Sequence, residues 1–260
     1  MVAVRYAWTI IVGLAGCHEV FGTENIVPPD APPAYVSTVL ADEPRGYYRL
    51  GEADGVVAHD LTGGPDGQYV SHFRLAEPGA IATDEDTSVF LGPEDATILF
   101  DDIHEYAVLA PFTLEAWIQP EFDGGFQPVA AKYAEPPTAT GYVMYTLDQK
   151  LAFARGVTEQ NQTLIEANVL ERGVWTHVVA TFDGAAMKLY ANGVQVGERP
   201  SAIVLPDLDV KFTIGSVNGS QYSAPYHGFI DEVAIYDRGL SLARVFEHHA
   251  VGAAQAQRAR

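Results

Sequence analysis

Short runs in which apolar and polar side chains alternate, each closed by a turn signal, dominate this chain from Phe112 onward. Alternation at period two places every second side chain on the same side of a strand, so it predicts β-structure with one buried face. Phe112-Thr113-Leu114-Glu115-Ala116-Trp117-Ile118 puts Phe112, Leu114, Ala116 and Ile118 together. In Gly141–Leu147, Tyr142, Met144 and Thr146 alternate with Val143, Tyr145 and Leu147. Trp175–Phe182 divides into Thr176, Val178, Ala180 and Phe182 on one face, and Trp175, His177, Val179 and Thr181 on the other. Leu151–Phe153 and Leu164–Val169 are shorter candidates, and Phe212–Gly215 and Gly228–Tyr236 are late ones. Met187–Ala191 and Val194–Val196 flank Asn192-Gly193, a pair that tolerates positive φ at both turn positions and therefore predicts a type I′ hairpin. Only Ser241–His249 reads as a helix, with Ser241 as its cap and Leu242, Val245 and Phe246 on one face. With 24 Gly and 16 Pro to make turns, and 12 Phe and 13 Tyr to fill a core, the expectation is a two-sheet all-β sandwich with a short C-terminal helix.

The N-terminus carries a different kind of information. Met1–Arg5 holds one positive charge, and Tyr6–Leu14 is apolar apart from Thr9. That run is far shorter than the roughly 20 residues of a spanning helix, so it has the shape of a secretory signal. It ends at Leu14-Ala15-Gly16-Cys17, which contains the single cysteine of the 260 residues. This stretch resembles the lipobox of bacterial lipoproteins. The resemblance implies a signal peptide over 1–16, lipidation of Cys17, and an exported protein anchored to the outer membrane or cell surface. His18, rather than Asp, follows the cysteine and favours the outer membrane. The other reading is an ordinary signal peptide with a cysteine near its end. A lone cysteine also allows no internal disulfide. His18–Pro33, with Pro28-Pro29-Asp30-Ala31-Pro32-Pro33, reads as a polyproline tether that spans roughly 50 Å if fully extended. One domain is expected over 34–252, with 253–260 as a frayed tail.

Charge excludes some partners. The chain has 15 basic and 34 acidic residues, and loss of 1–16 removes Arg5 alone, taking the net charge from −19 to −20. Nucleic acid and anionic lipid surfaces both reward Lys and Arg, so neither is an expected partner, and membrane contact is expected through the anchor only.

Several motifs in order are similar to one family. Tyr47-Tyr48-Arg49-Leu50-Gly51-Glu52 within Ala41–Leu50, the turn Asp60-Leu61-Thr62-Gly63-Gly64, the Phe112–Ile118 strand, and Trp175–Gly184 with Leu189-Tyr190-Ala191-Asn192-Gly193 resemble bacterial LamG-like jelly-roll domains. So do Phe229–Tyr236 and the Leu240–Gly252 tail. The resemblance covers 34–252 and implies a concanavalin A-like jelly-roll sandwich of two antiparallel sheets. It also implies that the first and last strands lie side by side, bringing Asp60 near Asp231. From that follows a structural Ca2+ site, with Asp231 as carboxylate ligand, Asp60 as a second, and Gly63 or Gly51 as carbonyl donors. The alternative is that Asp231 accepts backbone hydrogen bonds and Asp60 caps its turn.

No catalytic set is recognisable. Glycosidases on this sandwich use Glu-x-Asp-x-x-Glu along one strand, and the chain has no such run. Asp231 and Glu232 are adjacent, so a regular strand would point them to opposite faces. Glu115 stands alone, Asp84-Glu85-Asp86 reads as a solvated turn, and His177 as a packed cross-strand residue. Binding is the remaining class. Phe122–Phe126 and Tyr133–Tyr142 are candidate loops, and the richest is 218–227, with Asn218, Gln221, Tyr222, Tyr226 and His227 as candidate ligand-binding residues. The leading expectation is a lipid-anchored, non-catalytic cell-envelope module that binds polysaccharide or a surface glycoprotein. The alternative is an adhesive or structural surface protein that recognises another protein, and a glycoside hydrolase is third.

Overall fold

Sixteen strands and two helices make up the described part of a computed structural model. It describes residues 33–81, 84–92, 94–121, 124–134, 138–217 and 225–258, with side chains to 254. The expected signal segment over 1–16, Cys17 and the expected tether before Pro33 fall outside these residues, as do Asn218, Gln221 and Tyr222.

A short helix, α1 (Ala34–Leu40), comes first. The strands are β1 (Gly46–Tyr48), β2 (Val57–Ala58), β3 (Gly67–Val70), β4 (Phe73–Pro78), β5 (Thr87–Leu91), β6 (Thr97–Leu99), β7 (Phe112–Pro120) and β8 (Phe126–Ala134). They continue as β9 (Thr140–Leu147), β10 (Lys150–Thr158), β11 (Asn161–Asn168), β12 (Thr176–Phe182), β13 (Ala186–Ala191), β14 (Val194–Pro200), β15 (Thr213–Ile214) and β16 (Gly228–Tyr236), and α2 (Leu242–Arg258) closes the chain. One sheet has the order β14-β13-β12-β7-β16-β5-β4, with β1 also on β16. The other runs β11-β10-β9-β8-β15-β6-β3-β2. All strand pairs are antiparallel. This is the expected concanavalin A-like sandwich, and β1 lies beside β16 as expected, Tyr47 opposite Ala234.

The period-two pattern translates directly into layers. Leu114, Ala116, Ile118, Val178, Ala180 and Phe182 face Ile98, Met144, Phe153 and Ile214 across the core. Phe112 sits at its centre, stacked on Tyr106 at 4.7 Å and tilted against Tyr142 at 4.5 Å. Asn192 and Gly193 have φ of 50° and 75°, the two left-handed values of a type I′ turn.

The helices make a third layer that alternation alone does not reveal. The other face of the first sheet, with Trp117, Val179, Tyr190 and Tyr236, is covered by Tyr35, Val36 and Val39 of α1 and Val245 of α2. Two expectations need correction. The opening strand is three residues long rather than the whole of Ala41–Leu50, because α1 ends at Leu40 and a turn over 41–45 leads into Gly46. The C-terminal helix runs past His249 and through the stretch expected to fray, as far as Arg258. Ser241 does cap it, accepting from Arg244 N at 3.4 Å. Its buried stripe is Val245 and His248, while Leu242 and Phe246 remain 50% and 59% exposed. No helix among the described residues is long and apolar enough to cross a membrane.

Candidate functional site

Three polar or aromatic groups stand out, and each is built by a different feature of the first sheet. The first is acidic. Halfway along β16 the partner strand changes: Gly228–Ile230 pair with β5, and Val233–Ile235 with β1. Between them the register against β7 slips from Asp231 to Ala234, and Glu232 adopts φ of 54°. This β-bulge turns two adjacent carboxylates into one pocket. The expectation that they point to opposite faces held for a regular strand and fails here. Oxygens of Asp86, Asp231 and Glu232 lie within 4.8 Å of one another.

Arg49 is the counter-ion of this pocket. Its Nη2 reaches Asp84 at 2.6 Å, Glu232 at 2.7 Å and Asp86 at 2.9 Å. Asp84 and Asp86 are therefore largely buried partners of Arg49 and not a solvated turn. Tyr47 donates its hydroxyl to Glu232. Ala80 N donates to Asp231 Oδ2 at 2.7 Å, but Asp231 Oδ1 is buried with no partner. Four carboxylates against one guanidinium leave an excess of negative charge in a desolvated place. Burial, and then the charge of Glu232, raise the Asp231 pKa well above the usual carboxylate range. Burial pushes Glu232 to about 7 and Asp86 to about 6, against the opposing pull of Arg49. An all-oxygen donor set with an orphaned buried oxygen suits a hard cation such as Ca2+. Gly51 packs so closely on the Asp86 carboxylate that a methyl group there would overlap it.

Asp60, the second expected ligand, is not one of these three carboxylates. Its Oδ1 accepts from Tyr47 N at 3.0 Å, Thr62 N at 2.9 Å and the Thr62 hydroxyl at 2.8 Å. It therefore caps its turn and ties that turn to β1, while Oδ2 is buried without a partner. Gly51, an expected carbonyl donor, accepts from the Thr87 hydroxyl at 3.2 Å.

The second group is Glu115, which is fully buried under the helices and far from alone. It accepts from His177 Nε2 at 2.8 Å, from Tyr236 Oη at 2.8 Å and from Tyr35 Oη at 3.3 Å. His248 Nδ1 lies 3.0 Å from both carboxylate oxygens. Burial alone would raise the Glu115 pKa, but His248 and His177 hold it well below its ordinary value. A carboxylate so fully engaged stitches α1, α2, β7, β12 and β16 together.

The third group is aromatic and lies on β5 and β16 of the first sheet, beside Trp175, which also packs against the helix-covered cluster. Phe90 of β5 meets Phe229 of β16 edge-on at 5.1 Å, and Trp175 tilts against Phe229 at 6.2 Å. The guanidinium of Arg74 sits 3.8 Å over the Phe90 ring. His227, an expected ligand-binding residue, packs edge-on against Phe90 at 5.6 Å. These aromatic rings are only partly buried. Tyr226, expected at the same surface, is instead fully buried in the sandwich core, with Tyr226 N bonded to Gly215 O at 2.7 Å. A neighbour in sequence on an extended chain faces the other way, so His227 and Tyr226 cannot share a surface.

Arg49, Asp86 and Glu232 lie in the Tyr47–Glu52 motif, the Asp84–Asp86 turn and the Phe229–Tyr236 strand, yet no local pattern marks them as one pocket. Only the bulge in β16 and the pairing of distant strands do so.

Comparison with known proteins agrees with this architecture. The family model described as concanavalin A-like lectin/glucanases superfamily matches residues 93–246. The binding domain of Paraclostridial Mosquitocidal Protein 1 is similar at a TM-score of 0.63 and 15% identity, over 78% of this chain and 52% of that one. The receptor binding domain of botulinum neurotoxin D gives 0.63 and 13%, over 80% and 52%. Trypanosoma rangeli sialidase in complex with sialic acid gives 0.58 and 16%, over 77% and 31%. At these identities the likeness is one of fold. Human Pappalysin-1 is 37% identical over 67 residues, 25% of this chain and 4% of that protein. The chain thus spans a small part of that relative and about half of the toxin domains.

Proposed function

Because the chain belongs to the concanavalin A-like lectin/glucanases superfamily, we propose that it is a non-catalytic glycan-binding module, held on a bacterial cell envelope by a lipid on Cys17. The observation that carries the reading is the partly buried aromatic patch of Phe90, Phe229 and Trp175, flanked by Arg74 and His227. Aromatic faces accept the C–H face of a sugar ring, and nearby polar groups orient it. A hydrolase needs two carboxylates free to meet the glycosidic bond. Glu115 is enclosed by its five donor contacts, and Asp231 and Glu232 are 2% and 1% exposed, which supports binding over catalysis.

The same reading includes Ca2+ as a structural cofactor, held by Asp231 with Asp86 and Glu232. The ion would offset their charge and pin β16 to the segment before β5. Asp60 remains the expected second ligand only if its turn rearranges. On the membrane side, each buried acyl methylene contributes about 0.8 kcal/mol, so the three chains normal for a lipoprotein cysteine hold permanently.

A glycan array probed with residues 18–260, with and without Ca2+, tests the reading. Binding that Phe229→Ala abolishes supports it, and no glycan bound in either condition refutes it. A second reading, a surface adhesion protein with a protein partner, is favoured by Leu242 and Phe246, which lie one turn apart and exposed on α2.

A further inference from the structure

The two sheets end in β14 and β4, and in β11 and β2. An end strand with unpaired N–H and C=O groups is a template for another strand, and bulges, prolines and short length are the usual means of blunting it. Three of these ends are blunted. β2 is two residues long. β4 slips on β5 between Arg74 and Glu77 and ends in Pro78. β14 slips on β13 between Leu189 and Tyr190 and ends in Pro200.

β11 has none of these devices. Its eight residues include no Pro, Gly or Lys, and from Gln162 to Asn168 they pair with β10 in one unbroken register. Val169 N donates to Gln149 O across the next rung. The hydrogen-bonded pairs are therefore Leu151 with Ala167, Phe153 with Ile165 and Arg155 with Thr163. The N–H and C=O groups of Gln162, Leu164, Glu166 and Asn168 point away from β10. Among the described residues no other strand or backbone group meets them. Along this edge runs a groove of about 800 Å3, whose far wall is Glu198, Arg199 and Pro200 of β14.

Side chains decide which strand fits such an edge. Leu164 is half-buried against the apolar cluster of Val143, Tyr145 and Ala154, and Gln162 and Glu166 stand exposed on either side of it. Charge along the groove is mixed. Lys150 lies 3.4 Å from Glu166, and Arg199 follows Glu198 on the wall. A strongly basic or strongly acidic peptide gains little there, whereas a second β11 is complementary. Turned about a two-fold axis at Leu164, it sets Leu164 against Leu164 of the second copy and Gln162 against Glu166 of the second copy, twice over. The leucines extend the apolar cluster, and each Gln162 amide donates to a carboxylate.

We propose that β11 is a dimerisation edge, which pairs antiparallel with β11 of a second copy about Leu164 and joins two eight-stranded sheets into one. The same patch serves on both copies, so the assembly closes at two. This surface lies apart from the aromatic patch and does not depend on what that patch binds. Two strongly acidic chains repel each other, so salt should tighten the dimer by screening.

Sedimentation equilibrium and amide hydrogen exchange of residues 18–260, which keep every described residue, test the proposal. A monomer–dimer equilibrium is expected, tighter at about 1 M salt than at about 0.1 M. The N–H groups of Leu164 and Glu166 should exchange more slowly as protein concentration rises. Gln162→Glu, on an exposed side chain, sets like charges opposite each other in both copies and should weaken the dimer about tenfold. Gln162→Lys should tighten it by a similar factor, because a cation then faces the Glu166 carboxylate. A chain still monomeric at about 1 mM overturns the proposal. So does a dimer that ignores both Gln162 substitutions and is lost in Phe246→Ser, which would place the contact on α2.

Discussion

His248 meets Glu115 under the helical layer with its Nδ1 3.0 Å from each carboxylate oxygen. Its Nε2 lies 3.0 Å from Asp42 Oδ2. A nitrogen that faces a carboxylate must carry a hydrogen, so both do, and His248 is an imidazolium bridging two acids. Burial opposes that charge, but Glu115 and Asp42 outweigh it and raise the pKa. Arg244 shares Asp42 at 2.6 Å, so α2 is fastened to the sheet and to the turn after α1 through one chain of charges.

This arrangement sets a pH dependence. The folded pKa of His248 is raised, so its contribution is complete below the unfolded histidine value of about 6.5 and fades as pH rises through the folded value. Glu115 is lowered, so its contribution is complete above about 4.3 and is lost only in strong acid. His248→Gln should cost about 3 kcal/mol at pH 6, as for a broken buried pair, and less at pH 9. Urea melts at the two pH values check this, and equal losses would contradict the imidazolium.

The acidic pocket depends on pH through a different cause. Asp231, Glu232 and Asp86 all have raised folded values, so each makes the fold less stable as pH climbs from the unfolded value of about 4 to its own. In chelator the melting temperature should fall between pH 5 and pH 8, and Ca2+ should restore it. Asp231→Asn should shrink the fall and abolish the Ca2+ increment. An increment that persists in Asp231→Asn would place the ion elsewhere.

Arg49 should be the most sensitive residue of that pocket. Arg49→Met leaves Asp84, Asp86 and Glu232 without their cation and should destabilise by about 3–5 kcal/mol at pH 8. The loss should be smaller at pH 5, where the carboxylates take up protons. A loss independent of pH would mean that packing of the Arg49 stem, not its charge, is what matters.

The two sides of α2 should respond differently to the same change. Val245→Ser buries a hydroxyl at a fully enclosed position and should cost about 2 kcal/mol or more. Phe246→Ser alters a side chain 59% exposed and should stay within about 0.5 kcal/mol. Loss of a protein partner in Phe246→Ser, with unchanged stability, would favour the adhesion reading.

Attachment is tested apart from the fold. Cys17→Ser should move the protein from the membrane fraction to the soluble one or leave its first 16 residues uncleaved. Membrane retention of a fully processed Cys17→Ser protein would remove the lipid from the proposal.

The strands were legible because period two is a local property of the chain. Phe112, Leu114, Ala116 and Ile118 declare a buried face whatever they pack against, and Asn192-Gly193 declares its turn through φ alone. Nothing local could show that the opposite face, Glu115 and Trp117, is buried too, because the cover comes from α1, nearly 80 residues earlier, and from α2, more than 120 later. The acidic pocket was hidden for a related reason. Asp231 and Glu232 share it only because β16 bulges where it exchanges one partner strand for another, and a bulge follows from competing long-range pairings that leave no periodic mark. Sequence thus determined the alternating strands from β7 onward and which of their residues face the sandwich core, but it named no strand over β2 to β6 and took the ends of β8 and the start of β9 for loops. Tertiary structure decided which charges meet, because burial and proximity are properties of the assembled sheets and not of any one strand.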